Sequence, residues 1–321
     1  MTTAIDLSLL PVPSVVENID YEVILAEMLD DLTHRYPVFD VPAESDPAYK
    51  ILEVAAYRET LVRQRVNEAA RAVMLAYSID EDLDNLGALF NVERLQISPG
   101  NLDTIPPIPP TDEENSDFRR RILLSLQGLS TAGPEGAYIF HALSADGGVL
   151  DASVDAPRFT LIDQTATTIT LQVDYDAGLA EPRPGDVVVS VLARDGDGTP
   201  VPSLLDTVAT RLSAEDVRPL TDRVNVQGPE ILPYTIEAKL YFYPGPDSQV
   251  VLAEAHEMAQ AYADSQHRLG MDVTLSGVYA ALHRPGVQRV ELANPTATIP
   301  ANRQQATYCT GIYLVDGGVD E

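Results

Sequence analysis

The sequence predicts an α+β protein, with a helical N-terminal module that forms a bundle and two small mixed α/β subdomains behind it. Three observations predict this class. Apolar residues recur at intervals of three and four through residues 46–77, which is typical of a long amphipathic helix. Apolar and polar residues alternate through Thr168–Tyr175 and again through Tyr234–Phe242, which is typical of strands. A proline-rich acidic stretch at 97–117 separates the two kinds of pattern.

The first part of the chain is predicted to be helical. We interpret residues 1–20 as an extended arm, because two prolines interrupt them at positions 11 and 13. Helices are predicted at Tyr21–His34, at 46–77 and at Asp80–Phe90. Residues 1–96 are therefore expected to form an N-terminal arm and helical bundle module.

The stretch at 97–117 is predicted to be a linker. Its five prolines and its run of acidic residues offer no apolar core, and the sequence PPIPP favours a semi-rigid polyproline II spacer. A proline-rich recognition ligand is the alternative. The linker divides the N-terminal module from a middle α/β domain at 118–225 and a C-terminal α/β domain at 226–321.

Helices and strands alternate beyond the linker. Helices are predicted at Asp117–Gln127, Pro134–Leu143, Ser203–Leu212, Asp247–Leu269 and Ser276–His283, and strands at Thr168–Tyr175, 187–191, Tyr234–Phe242 and Val287–Leu292. The strand Thr168–Tyr175 is expected to be half-buried. Gly270 is expected to cap the helix Asp247–Leu269. The tail 293–321 is polar and is expected to hold one edge strand, Thr310–Val315.

The long helix carries the most informative pattern. Asp46 suits the N-cap and Pro47 the first helical position. A seam of apolar residues, interrupted only by Glu59, follows for roughly four heptads. Such a seam forms either an interface with partner helices or the core of the monomer. For the interface reading the candidate residues are Leu52, Ala55, Val62, Val66, Ala69, Val73 and Ala76, with Arg58 and Arg65 beside them.

The charge balance disfavours two classes of partner. The 321 residues contain 49 acids and 21 bases, which gives a formal net charge of −28. Such a chain repels nucleic acid, whose affinity for proteins comes mainly from phosphate neutralisation, and it repels anionic membrane surfaces. The single cysteine, Cys309, excludes an intrachain disulfide. The sequence contains neither a signal peptide nor a long apolar run, so synthesis in the cytoplasm is expected.

No motif predicts catalysis, a metal site or a cofactor. DEDLDN (80–85) lacks the glycine of a calcium loop, and DGDG (195–198) is followed by prolines and no closing glutamate. His256 and His267 are predicted to share a helix face, but no third ligand lies near them. Cys309 lies in the polar tail without a nucleophile signature. The sequence therefore predicts a protein that is not an enzyme.

Four stretches resemble the baseplate assembly protein J family of P2-like contractile tails. They are AAYRETLVRQRVNEAARAVMLAY (55–77), TAGPEGAYIFHALSADGGVLDASV (131–154), VRPLTDRVNV (217–226) and HRPGVQRVEL (283–292). They occur in the family's order, and the resemblance extends from about residue 5 to about residue 295.

This resemblance implies a structural wedge subunit of a contractile-tail baseplate, located in the virion after assembly in the host bacterial cytoplasm. The implied partners are an I-type wedge subunit, a W-type sheath-initiator protein, neighbouring copies of the chain and the hub and spike, around which a six-fold ring forms. The long N-terminal helices would bundle with partner helices, and the region 226–295 would supply ring contacts. Two other classes stay open: a tail-associated cell-wall hydrolase, and an acidic nucleic-acid-mimicking inhibitor.

Overall fold

A computed structural model describes residues 7, 13–37, 44–245 and 247–319. Most of the arm predicted at 1–20 lies outside the described residues. The chain has the predicted α+β composition and divides into two compact units. One unit contains the described residues up to Arg94 together with Glu114–Ile122. The other contains Leu95–Glu113 and the described residues from Leu123 onwards.

Three helices begin the first unit: α1 (Tyr21–Arg35), α2 (Pro47–Ala72) and α3 (Asp80–Leu89). Asp46 caps α2 as predicted, because its carboxylate accepts the backbone N–H of Ala48 at 2.8 Å. The helix ends earlier than predicted, at Ala72, so Val73 is its C-cap and Ala76 lies in the following turn. The guanidinium of Arg119 stabilises this turn by donating to the carbonyls of Leu75 (2.6 Å) and Ser78 (2.7 Å).

The proline-rich segment folds back on itself. The short strands β1 (Gln96–Ser98) and β2 (Thr111–Asp112) pair antiparallel, and Asn101 and Ile108 exchange two backbone hydrogen bonds of 2.8 Å. Glu113 is buried directly after β2. The extended polyproline II conformation predicted for this segment is therefore wrong, because backbone pairing shortens it. Its role as a boundary between modules stays a prediction.

Limited proteolysis of the free protein should cut first at the tip of this folded segment. The side chains of Leu102 and Ile105 are 71% and 99% exposed, and exposed loop tips are preferred sites of nicking. A protease of broad specificity, followed by mass spectrometry of the first fragments, measures this. Earlier cleavage within 231–292 would contradict the expectation.

The helix α4 (Asn115–Gly128) leads into a small α/β layer. Its elements in chain order are α5 (Glu135–Leu143), β3 (Val149–Asp155), β4 (Arg158–Gln164), β5 (Ile169–Tyr175), β6 (Asp186–Ala193), α6 (Pro202–Leu212) and β7 (Arg223–Gln227). β6 lies between β3, which is antiparallel to it, and β7, which is parallel to it. The parallel pair is connected through α6, which packs with α5 onto one core with Val189 and Val191 at its centre.

The strands β4 and β5 form a separate antiparallel hairpin. Leu161, Ile169 and Val173 on this hairpin are 53%, 60% and 45% exposed. The prediction that Thr168–Tyr175 is half-buried is therefore wrong. The alternating pattern is present, but no layer of the described chain covers the apolar side.

The last part of the chain forms a second small layer. Its elements are β8 (Glu230–Phe242), α7 (Ser248–Gln266), α8 (Leu275–Leu282), β9 (Val287–Asn294) and β10 (Gln305–Val319), and the strand order is β10-β8-β9. β8 is central, with alternate residues from Tyr234 to Phe242 in the core. β10 runs parallel to it and β9 antiparallel.

Four expectations for this layer are wrong. α7 ends at Gln266, so His267 lies beyond the helix and does not share its face with His256, and Gly270 is not its cap. The tail holds a fifteen-residue strand rather than the short Thr310–Val315, because pairing with β8 begins at Gln305. Cys309 is half-buried against the core instead of lying in a polar tail, and burial raises the pKa of its thiol.

Hydrogen bonds join the two layers along β3. The buried carboxylate of Asp151 accepts the backbone N–H of Leu269 at 3.0 Å, and Arg268 donates to the carbonyl of Leu150. Farther along the same strand Arg303 donates to the carbonyl of Val154 at 3.1 Å. The two layers of the second unit therefore share one continuous hydrogen-bonded junction.

Candidate interface on the long helix

One face of α2 packs against α1. Ala56 is fully buried there, and Leu52 packs beside it against Ile24 and Leu25. At the far end of the same face, the side-chain amide of Asn67 accepts the backbone N–H of Glu17 at 3.0 Å and donates to the carbonyl of Glu17 at 2.9 Å. This face is the small core of the helix pair. Ala56, which the predicted seam does not include, is its most buried residue.

The predicted seam lies beside that face and is largely exposed. At 100° per residue, Val66 lies about 80° around the helix from Ala56. Val62, Val66 and Val73 are 63%, 57% and 70% exposed. Of the other candidates, Ala69, Arg58 and Arg65 are exposed, and Leu52, Ala55 and Ala76 are half-buried.

Charged side chains line the seam. Arg63 donates to Glu59 at 2.6 Å, and this hydrogen bond raises the pKa of the Arg63 guanidinium. Arg65 lies 3.5 Å from Glu68, with both side chains at least half-exposed. Exposed pairs of this kind stabilise a helix only slightly, because water screens them.

A second exposed apolar stripe was missed by the sequence reasoning. Ile51, Val54, Tyr57 and Leu61 lie mostly on the side of α2 that faces away from α1, and they are 41% to 69% exposed. Their spacing of three, three and four residues is also helical, so the sequence carried the signal. The seven apolar residues of the neighbouring seam form the longer pattern, and for that reason they were predicted to be the interface.

The described residues contain neither a cluster of metal-ligand side chains nor a helix suited to span a membrane. Within that part of the chain, no three His, Cys, Asp or Glu side chains come together as a metal site. No helix among the described residues is long and apolar enough to cross a membrane. His267 binds the carbonyl of Thr307 through Nδ1 at 2.6 Å, far along the chain from the long helix.

Comparison with known proteins identifies the family. Residues 44–101, which include α2 and α3, match the Baseplate J-like N-terminal domain. Residues 130–228, which include the sheet of β3, β6 and β7, match the Baseplate J-like central domain. The chain is also 47% identical over 324 aligned residues to baseplate protein J of Escherichia phage P2, and this alignment covers 99% of each chain. On this identity over its full length, the chain belongs to the baseplate J family.

Proposed function

We propose that this chain is a wedge subunit of a contractile-tail baseplate. In this proposal it binds an I-type wedge subunit and a W-type sheath-initiator protein, and it contacts neighbouring copies of itself in a six-fold ring around the hub and spike. The coarser part, a structural role in a phage tail baseplate alongside other baseplate proteins, follows from membership of the family. We propose no enzymatic step for it.

The observation that carries the wedge proposal is the exposed seam of α2. Three valines that are more than half exposed follow one line of α2: Val62 and Val66 lie within the helix, and Val73 is its C-cap. Complete burial of such a side chain contributes roughly 1.5–3 kcal/mol, so covering the exposed part of all three supplies a few kcal/mol to binding. A helix that lies along this line would form a bundle with α1 and α2. The region 226–295 is proposed to supply the ring contacts.

Val66→Asp should abolish partner binding and leave the free chain folded. Because Val66 is already 57% exposed, the new carboxylate remains hydrated in the free chain and costs little stability. In a complex the same carboxylate would be buried against apolar side chains, at a cost of several kcal/mol. Circular dichroism melting measures the first effect. Co-expression with the I-type and W-type subunits, followed by size-exclusion chromatography and pull-down, measures the second.

Gln64→Asp is the matched control. It introduces the same charge two residues away, about 160° around the helix from Val66. The control should retain the partners. If Val66→Asp unfolds the free chain, the seam is monomer core; if both variants bind normally, the seam is not the interface. Either result contradicts the proposal.

A further inference from the structure

A cleft of about 690 Å³ lies in the second unit, where its two layers meet. This volume falls within the range of roughly 300–1,000 Å³ that is typical of ligand clefts. Five segments line it: the start of α5, the corner between β3 and β4, the end of β5, the start of β6 and the loop before β10. Their polar residues are Glu135, Asp155, Arg158, Asn302 and Arg303.

The acidic groups of the cleft already have donors. Glu135 accepts from Arg303 at 3.1 Å. Asp155 accepts the hydroxyl of Tyr175 at 2.5 Å, and this hydrogen bond, together with desolvation, raises the pKa of Tyr175 to about 12. Asp222, behind the cleft, accepts the hydroxyl of Tyr138 at 2.7 Å. Each of these carboxylates therefore has a hydrogen-bond donor within the chain, and none of them indicates a site for a bound cation.

Arg158 is the exception among the charged groups. No carboxylate of the described residues lies within ion-pair distance of it, although the chain has more than twice as many acids as bases. Its guanidinium lies over the ring of Tyr175, 4.9 Å from the centroid. The ring supports the flat guanidinium by a cation–π contact, and the hydroxyl of that ring is fixed on Asp155. The guanidinium of this exposed residue thus lies on an aromatic ring, with no carboxylate among the described residues paired to it.

We propose that this cleft binds a carboxylate from an acidic segment of a second copy of the chain, with Arg158 as its bidentate donor. The planar guanidinium of arginine suits a carboxylate, because it donates two parallel N–H···O bonds to it and loses little freedom for each hydrogen bond that it forms. The charge balance favours another copy as the source, since every copy carries 49 acids, and such a contact offsets the repulsion between neighbouring copies. The inference rests on the proposed function, which sets copies side by side.

Photo-crosslinking within the full assembly tests the proposal. The photoreactive residue p-benzoylphenylalanine replaces Ala156, an exposed residue of the cleft wall. Complexes with the I-type and W-type subunits are assembled from a mixture of ¹⁵N-labelled and unlabelled copies, irradiated and digested. Mass spectrometry then separates links between copies from links within one copy. Arg158→Ala is compared with Arg183→Ala, whose exposed guanidinium lies 3.4 Å from Glu181 outside the cleft.

We expect links to an Asp- or Glu-containing peptide of another copy. Their yield should fall about tenfold in Arg158→Ala, as for an arginine that anchors an interface, and should not change in Arg183→Ala. Absence of links between copies, links to other subunits alone, or equal yields in both variants would overturn the proposal. Assembly of the complex is scored separately by size-exclusion chromatography, and if it fails, the free chain is irradiated at high concentration. Failure of the wedge proposal is thereby distinguished from failure of this one.

Discussion

Phe118→Ala should lower the free energy of unfolding of the first unit by about 3–5 kcal/mol, the range for loss of a fully buried aromatic ring. Phe118 is 0% exposed. Its ring contacts the guanidinium groups of Arg94 and Arg121, whose central carbons are 4.7 and 5.6 Å from the ring centroid. It also fills the space beside Gly87, where even a Cβ atom would lie 2.5 Å from the ring. The truncated side chain would leave a cavity and two guanidinium groups without their aromatic contact.

Chemical denaturation followed by far-ultraviolet circular dichroism measures this loss. Phe90→Ala is the control, because the same atoms are removed from a residue of the same unit that is 40% exposed. Its cost should be clearly smaller. Equal destabilisation by the two substitutions would show that Phe118 does not organise the packing of the unit.

Leu240→Ala should destabilise the C-terminal layer by about 2–5 kcal/mol. Leu240 is fully buried in the central strand β8, where its neighbours across the sheet are Val290 on β9 and Asp316 on β10. Both neighbouring strands depend on β8 for their backbone pairing. A cavity at this point therefore weakens the support of the whole sheet.

Hydrogen exchange with mass spectrometry measures the effect of this substitution locally. Protection of β8, β9 and β10 should fall together in Leu240→Ala. The matched control is Val315→Ala on β10, where the side chain is 58% exposed and its loss should change little. Unchanged protection in Leu240→Ala would contradict the assignment of this residue to the centre of the core.

The beginnings of elements could be predicted from the sequence better than their ends. The start of α2 is encoded locally, because Asp46 and Pro47 act within their own turn. Its end depends on Arg119, which lies more than forty residues beyond the turn that it stabilises. The strand pattern of β8 is likewise local, whereas the length of β10 is set by pairing with a strand some 75 residues earlier.

The burial of apolar residues was harder to predict than their pattern. The hairpin β4–β5 and the seam of α2 both have the periodicity of buried elements, yet both are exposed. Periodicity reports that one face suits an apolar neighbour; it does not say whether that neighbour belongs to the same chain. For this reason the role of Leu52–Ala76 as an interface stays a prediction. The spacing of the second stripe at Ile51–Leu61 is present in the sequence, but its exposure follows only from the position of α1.

The position of Cys309 allows its thiol to report the local opening of the sheet formed by β8, β9 and β10. It is the only thiol in the chain, and it lies half-buried on β10 against the core of the C-terminal layer. Because burial also raises the pKa of this thiol, little thiolate is available to a reagent while the sheet is closed. The rate of alkylation therefore reports how often this strand separates from β8. The alkylation rate of Cys309 thus measures the opening of the C-terminal layer, which is proposed to supply the ring contacts, without any added label.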